Sequence, residues 1–458
     1  MSKQTIGSSI SLAVIVLFSA GIGFDSLEGQ GLSRPGYNAS AILIIAATLW
    51  VTEAVPLFVT SLAVLFLSIV WLLPSMEAAG IEASRGDFLS PFFADVIVLF
   101  LGGFALSAAL HKKQLDEWLA AAIISRTGST LPRLMIGIMV VTAFLSMWLS
   151  NTATAAMMLA LVLPIASRLG ENDRRGKAIL LSIPFAANVG GLGTPIGSPP
   201  NAIAMQYMSG EGIAPTFAQW MMIGIPGVII MLLLAWGILL LFFGRGDQQL
   251  PSINQTILIK RDRSFWIIIA AVLATTIGWM TSSFHGYSSG TIALIPLLVF
   301  FSFGILDSND LNKMSWNVLL MMGGGLCLGT VISKSGLADW LVQQLPVDGI
   351  SIFWFTVLFG VVACSMSSLM SNTATANLLL PIIIGMGVDP ASPIMIGTAF
   401  GCSLAMPLPI STPPNAMAFS SGQINVMDMA KPGLILTAAG VGLALTTGYW
   451  WWDTVGIW

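Results

Sequence analysis

The chain carries little charge for its length. Only 9% of its 458 residues are Asp, Glu, Lys or Arg, whereas 56% are hydrophobic and the mean hydropathy is +0.88. A soluble domain has about 25% charged residues, so this composition excludes an ordinary soluble protein. The absence of a basic stripe or arm argues against a nucleic-acid-binding protein. The long apolar runs lack the alternation of an outer-membrane barrel, and they predict an all-α polytopic membrane protein.

Cysteine and histidine, which commonly bind metals, are equally scarce. Cys327, Cys364 and Cys402 all lie in apolar stretches, which is typical of small buried side chains rather than of a metal site or disulfide. His111 adjoins two lysines and His285 lies in a predicted loop, and neither position is typical of a proton relay. The sequence also lacks an HExxH motif and an intramembrane aspartate pair. These absences argue against an intramembrane enzyme.

Hydrophobic runs predict eleven membrane spans. The first run is not followed by a small-residue cleavage site, and we interpret it as a retained span rather than a signal peptide. Two further regions, 131–168 and 351–388, each contain two apolar arms that meet at a polar tripeptide, and we predict two re-entrant helical hairpins there. The predicted spans are residues 9–24, 38–53, 56–73, 92–111, 178–194, 218–244, 264–282, 290–305, 316–333, 393–410 and 432–452.

Two short segments occur twice, about half a chain apart. SNTATA occupies residues 150–155 and 371–376, and GSPPNAIA at 197–204 matches STPPNAMA at 411–418. Both halves have the same order: a span, a short amphipathic segment, a hairpin with Ser-Asn-Thr, and a span broken at Pro-Pro-Asn. Apolar membrane helices do not require these polar and helix-breaking residues. The repetition therefore predicts a duplicated binding site.

The distribution of positive charge orients the two copies. With a cytoplasmic N-terminus and two re-entrant hairpins, 15 of the 18 Lys and Arg residues lie inside, and Arg34, Arg85 and Lys334 lie outside. This satisfies the positive-inside rule and places the C-terminus outside. The first hairpin then opens to the cytoplasm and the second to the outside. The copies, which align without gaps from Leu101 and from Gly323, form an inverted repeat, as is typical of secondary transporters.

Each Ser-Asn-Thr tip combines groups that attract an anion with groups that bind a cation. A helix beginning near Thr152 would direct free N–H groups and the positive end of its dipole toward the bilayer midplane. The preceding arm ends in free carbonyls, and Ser146 lies one turn before Ser150. Ser367 has the same offset from Ser371. Carbonyl, hydroxyl and amide oxygens suit Na⁺, so each tip is predicted to hold a cation and contact an anion.

Neither the tips nor the broken spans contain Lys, Arg, Asp or Glu. The paired prolines remove backbone donors, and Gly197 lets the backbone approach a bound ion closely. Burying an unpaired carboxylate costs many kcal/mol, so the positive charge must come from bound cations. We therefore predict cation-coupled symport of an anion, in preference to sodium-independent exchange or a channel.

These motifs, with TLWVTEAVP at 48–56, resemble the divalent anion/sodium symporter family over essentially the whole chain. The resemblance implies a sodium-coupled importer of C4 dicarboxylates (succinate, fumarate, malate), an inner-membrane homodimer and elevator-type alternating access. Ser198 stands where dicarboxylate-carrying relatives can have Thr, which leaves sulfate and tricarboxylates as alternative substrates. Glu53 lies beside Pro56 at a predicted helix end, and we interpret it as a structural cap or interfacial residue.

The resemblance also implies site residues and a division into scaffold and transport domains. The first sodium site comprises Ser146, Ser150, Asn151 and Gly197. The second comprises Ser367, Met370, Asn372 and Ser411. Substrate carboxylates are expected to meet Asn151, Thr152, Ser198, Pro199, Asn372, Thr373, Thr412 and Pro413. Scaffold helices are expected at 1–111 and 218–333, transport parts at 112–217 and 334–431, and a final span at 432–458.

Overall fold

The computed structural model describes residues 3–170, 173–244, 259–344 and 349–457, and within these ranges it contains helices and irregular segments but no β-strand. Eight of the described helical segments are long and apolar enough to cross a membrane. Seven coincide with predicted spans, and the eighth is the return arm of the first hairpin, Asn151–Leu169. The prediction of an all-α polytopic protein is confirmed. The other four predicted spans contain helices of fewer than 18 residues.

The first half runs from α1 to the helix that follows the first Pro-Pro-Asn break. Its helices are α1 (Lys3–Ser19), α2 (Phe24–Glu28), α3 (Arg34–Thr52), α4 (Leu57–Leu67), α5 (Leu73–Ala78), α6 (Arg85–Leu89), α7 (Asp95–Lys112), α8 (Leu115–Ile124), α9 (Leu131–Ser146), α10 (Asn151–Leu169), α11 (Arg174–Gly190) and α12 (Pro199–Gly210). A π-helical turn at Ser68–Leu72 joins α4 to α5, so the span predicted at 56–73 continues to Ala78.

The second half repeats this order. Its helices are α13 (Phe217–Phe243), α14 (Arg263–Met280), α15 (Ser282–His285), α16 (Ser289–Ser302), α17 (Ser308–Asn312), α18 (Trp316–Lys334), α19 (Leu337–Gln344), α20 (Ile352–Ser367), α21 (Asn372–Gly385), α22 (Ser392–Ser403), α23 (Pro413–Ser420), α24 (Val426–Leu443) and α25 (Tyr449–Thr454). Another π-helical turn, Ala444–Gly448, joins α24 to α25 and makes the last span longer than predicted.

Proline positions fix where the broken spans end and restart. Pro199 and Pro200 occupy the first two positions of α12, and Pro413 and Pro414 occupy the same positions of α23. Proline is tolerated there because the first N–H groups of a helix have no partner within it. The segment predicted as one span at 393–410 is instead a helix that stops at Ser403 and an irregular segment, and α23 begins only at Pro413.

The two halves pack on each other in matched pairs. Helix α7 of the first half packs on α16 of the second, and α18 of the second packs on α4 of the first. Gly102 and Gly324, which align in the two halves, lie at these contacts. A Cβ on Gly102 would overlap the carbonyl oxygen of Ala293, and one on Gly324 would overlap Ser61. Close helix packing therefore requires glycine at both positions.

Candidate functional site

The two tips and the two breaks line one cavity of about 930 Å³. Three predicted site residues lie behind its wall: Ser146 and Ser367 are fully buried, and Met370 is nearly so. The other predicted residues line the cavity: Ser150, Asn151, Thr152, Gly197, Ser198, Pro199, Asn372, Thr373, Ser411, Thr412 and Pro413. The fold thus brings together segments that are separated by more than 200 residues in sequence.

The first tip has the geometry expected of a helix start. Ser150 has an extended backbone, and its Oγ accepts a hydrogen bond of 3.1 Å from the N–H of Ala153. Helix α10 begins at Asn151, close to the predicted start, and its first turn lines the cavity. At the second tip Ser371 also has an extended backbone and precedes Asn372, the first residue of α21, but its side chain makes no capping hydrogen bond. Both helix starts present positive dipole ends that favour a bound anion.

Behind each tip, a serine hydroxyl meets two acceptor oxygens. Ser146 Oγ contacts Asn151 Oδ1 and lies 2.8 Å from the carbonyl oxygen of Ala187. In the second half, Ser367 Oγ lies 2.5 Å from Asn372 Oδ1 and 2.8 Å from the carbonyl oxygen of Cys402. A hydroxyl has one proton to donate, so each group of three oxygens has more lone pairs than donors. Such oxygen-rich groups are suited to a hard cation.

The asparagine of each Pro-Pro-Asn motif holds its break in shape. Asn201 Nδ2 donates to the carbonyl oxygens of Gly191 (2.8 Å) and Thr194 (2.9 Å). Asn415 Nδ2 donates to those of Met406 and Leu408, each at 3.0 Å. Breaking a helix leaves backbone carbonyls without partners, and these side chains supply the missing donors. The sequence predicted the breaks but not this use of the asparagines.

Two polar residues that the sequence motifs did not indicate bridge the halves. Asn188 on α11 is 2% exposed and lines the cavity, and its Nδ2 donates to Thr412 Oγ1 and to Asn415 Oδ1, each at 3.1 Å. Ser403, at the end of α22, contacts Ser198 Oγ at 3.0 Å. The sequence signal for these two residues is that each is a single polar residue within an apolar helix. The residues they contact lie more than 200 positions away, which no local pattern indicates.

The cavity wall also has an aromatic, apolar part, and it contains one formal charge. Aromatic rings of Phe58, Phe100, Phe104 and Trp148 contribute to it. Glu53, which ends α3 with a left-handed backbone (φ 50°), is the single ionisable residue among the described residues that line the cavity. A bound anion would therefore find helix starts, amides and hydroxyls there, but no fixed positive charge.

Comparison with known proteins identifies related transporters. The model of the citrate transporter family, CitMHS, matches residues 47–391. The sodium-dependent dicarboxylate transporter SdcS of Staphylococcus saprophyticus is 32% identical over 89% of this chain and 84% of its own length. Its namesake in Staphylococcus aureus USA300 is 33% identical over 88% and 84%. An uncharacterized transporter of Haemophilus influenzae is 35% identical over 90% and 91%.

Two solved transporter structures share the fold. The Alcanivorax borkumensis YdaH transporter superimposes with a TM-score of 0.53 over 81% of this chain and 87% of its own, at 13% identity. Neisseria gonorrhoeae MtrF has the same TM-score over 84% and 85%, at 10% identity. The protein is thus a multi-pass membrane transporter and not an enzyme. It belongs to the citrate transporter family, CitMHS, together with the divalent anion/sodium symporters that its paired motifs resemble.

Proposed function

We propose that this transporter is a sodium-coupled symporter that imports C4 dicarboxylates such as succinate, fumarate and malate. The observation that carries the proposal is the cavity, in which two matched tips supply oxygen ligands and helix starts but no Lys or Arg. A dianion in such a site needs mobile cations as counter-charges. The sodium dependence named for the staphylococcal relatives supports Na⁺ as that cation.

Each tip is proposed to bind one Na⁺ and one end of the substrate. The first ion would be held by Ser146, Ser150, Asn151 and Gly197, and the second by Ser367, Met370, Asn372 and Ser411. The substrate carboxylates would be held by Asn151, Thr152, Ser198, Pro199, Asn372, Thr373, Thr412 and Pro413. Because Asn151 and Asn372 belong to both sets, ion and substrate binding would stabilise each other.

The same proposal covers the arrangement in the membrane. Arms α9 and α20 have 16 residues each, about 24 Å of helix, which is short of the roughly 30 Å hydrocarbon core and supports re-entrant hairpins. The matched packing of α7 on α16 and α18 on α4 supports an inverted repeat. We propose scaffold helices at 1–111 and 218–333, transport parts at 112–217 and 334–431, and a final span at 432–458. Elevator-type movement in an inner-membrane homodimer, with the N-terminus inside and C-terminus outside, completes the proposal.

A tricarboxylate such as citrate is the second candidate substrate, because the matching family model is described as a citrate transporter. Competition separates the candidates. In liposomes with an inwardly directed Na⁺ gradient, excess unlabelled fumarate or malate is expected to suppress uptake of labelled succinate. Citrate or sulfate is expected to suppress it far less. Stronger suppression by citrate or by sulfate would reassign the substrate.

Uptake is expected to depend on external sodium. Purified protein in liposomes should accumulate labelled succinate with external Na⁺, and uptake should fall to the level of empty liposomes when choline replaces Na⁺ at fixed pH. The reason is that the dianion has no other counter-charge in the cavity. Full uptake in sodium-free buffer would refute sodium coupling and favour sodium-independent exchange.

The charge of Glu53 is expected to weaken dianion binding. Glu53→Gln removes a negative charge from the cavity wall, and we expect a roughly two- to four-fold lower KM for succinate at low ionic strength. The difference should shrink as ionic strength rises, because salt screens exposed charges. Glu82→Gln is the control, since Glu82 is an exposed carboxylate that does not line the cavity. An unchanged KM in Glu53→Gln at low salt would contradict an electrostatic role.

A further inference from the structure

The two breaks differ in what reaches them from the opposite half. The carbonyl oxygens of Ala187 and Cys402 accept from the equivalent hydroxyls of Ser146 and Ser367, so these two positions correspond. The residues that follow them, Asn188 on α11 and Ser403 at the end of α22, therefore correspond as well. Each faces the break of the other half. One is an amide, and the other is a shorter hydroxyl.

The amide completes the second break. Asn188 Nδ2 has two protons, and it lies 3.1 Å from both Thr412 Oγ1 and Asn415 Oδ1. Ser403 has a shorter side chain. It contacts Ser198 Oγ, the equivalent of Thr412 Oγ1, at 3.0 Å. It makes no hydrogen bond to Asn201 Oδ1, the equivalent of Asn415 Oδ1.

The equivalent of Asn415 Oδ1 in the first half is Asn201 Oδ1, and this oxygen has no hydrogen-bond partner. Asn201 is fully buried, and Ser198 and Ser403 are each 1% exposed. A buried acceptor without a partner loses its hydrogen bonds to water without replacement, which is unfavourable. The first break thus gathers an unpartnered amide oxygen and two hydroxyl oxygens where the second break has a closed set of hydrogen bonds.

We propose that these three oxygens, Asn201 Oδ1, Ser198 Oγ and Ser403 Oγ, bind an additional Na⁺, distinct from the two at the tips. The inference rests on the proposed function. Three uncharged oxygens make a suitable partial shell for a hard cation, and Ser198 lines the cavity, so the ion can enter from it and lie beside the bound dianion. The dianion supplies the negative charge that the ligands lack.

This ion changes the charge that moves in each cycle. Two Na⁺ with a dianion are electrically neutral, whereas an additional Na⁺ makes each inward cycle carry one net positive charge. Net charge that crosses the membrane couples transport to the membrane potential, so the potential would drive uptake. The asymmetry between Asn188 and Ser403 would thus determine whether transport is electrogenic.

Ser403→Asn tests the proposal, because it gives the first break the amide that the second already has. Its Nδ2 should donate to Asn201 Oδ1 and Ser198 Oγ and displace the ion. The measurement is the Na⁺:succinate ratio, obtained from reversal potentials in liposomes. We expect the ratio to fall by one ion, and succinate uptake to lose its voltage dependence. An unchanged Na⁺:succinate ratio in Ser403→Asn would show that water fills the position and would overturn the proposal. Electroneutral succinate uptake by the wild type would overturn it as well.

A second readout requires no transport. In detergent with saturating succinate, replacing choline by Na⁺ should raise the unfolding temperature of the wild type. The half-saturating Na⁺ concentration should rise at least several-fold in Ser403→Ala, which loses one ligand. This variant also provides the test if Ser403→Asn does not fold. An unchanged Na⁺ dependence in Ser403→Ala would overturn the proposal. Sodium-independent uptake by the wild type would instead refute the proposed function itself.

Discussion

Asn151→Ala and Asn372→Ala are each expected to abolish sodium-driven uptake. Each asparagine opens a tip helix, lines the cavity and contacts a fully buried hydroxyl, that of Ser146 or Ser367. The substitution removes a proposed ligand shared by ion and substrate, and it leaves a buried hydroxyl with fewer partners at about 1–3 kcal/mol. The lost contacts to the ion and the substrate add to this energetic cost. A combined loss of roughly 3–4 kcal/mol corresponds to at least about 100-fold in uptake.

The matched control is Asn317→Ala. Asn317 lines the same cavity but lies outside the tips and breaks, at the exposed start of α18. It should keep uptake within a few-fold of the wild type. Size-exclusion profiles and surface labelling should show all three variants inserted and folded. Sodium-driven uptake that persists in Asn151→Ala or Asn372→Ala would refute the two-tip site. An equal loss of uptake in Asn317→Ala would show that the loss is not specific to the tips.

The helical class and the paired motifs were predictable because their signals are local. Apolar runs must form helices in a bilayer, since every backbone N–H and C=O group needs a partner there. Ser150 and Ser371 precede helix starts because a helix needs an N-terminal boundary with extended dihedral angles. At Ser150 the side chain also accepts a backbone hydrogen bond. The paired prolines stop one helix and begin the next for reasons that lie within a few residues.

What the sequence left unpredicted depends on contacts between distant segments. The use of Asn188 is defined by Thr412 and Asn415, which belong to the other half. The π-helical turn at Ser68–Leu72 changes only the hydrogen-bond register within an apolar run, which leaves the hydropathy unaltered. The apolar run at 393–410 predicts one continuous span, because hydropathy does not distinguish a helix from the irregular chain after Ser403.

The breaks also differ at their first matched position, where the first has Gly197 and the second has Ser411. A Cβ on Gly197 would lie 2.6 Å from the carbonyl oxygen of Gly191, closer than real side chains approach. Both groups are backbone, so neither can move aside as a flexible side chain can. A Cβ on Gly191 would in turn lie 2.8 Å from Asn151 Nδ2, which shows how tightly this segment packs on the tip.

Gly197→Ala is therefore expected to displace the first break from the first tip. Overpacking of this kind costs about 1–3 kcal/mol, so uptake and apparent Na⁺ affinity should each fall by roughly 10- to 100-fold. Gly237→Ala on α13 is the control, because no atom lies within 4 Å of its added Cβ. It should transport like the wild type. Wild-type Na⁺ affinity in Gly197→Ala would refute the role of this close approach in the first sodium site.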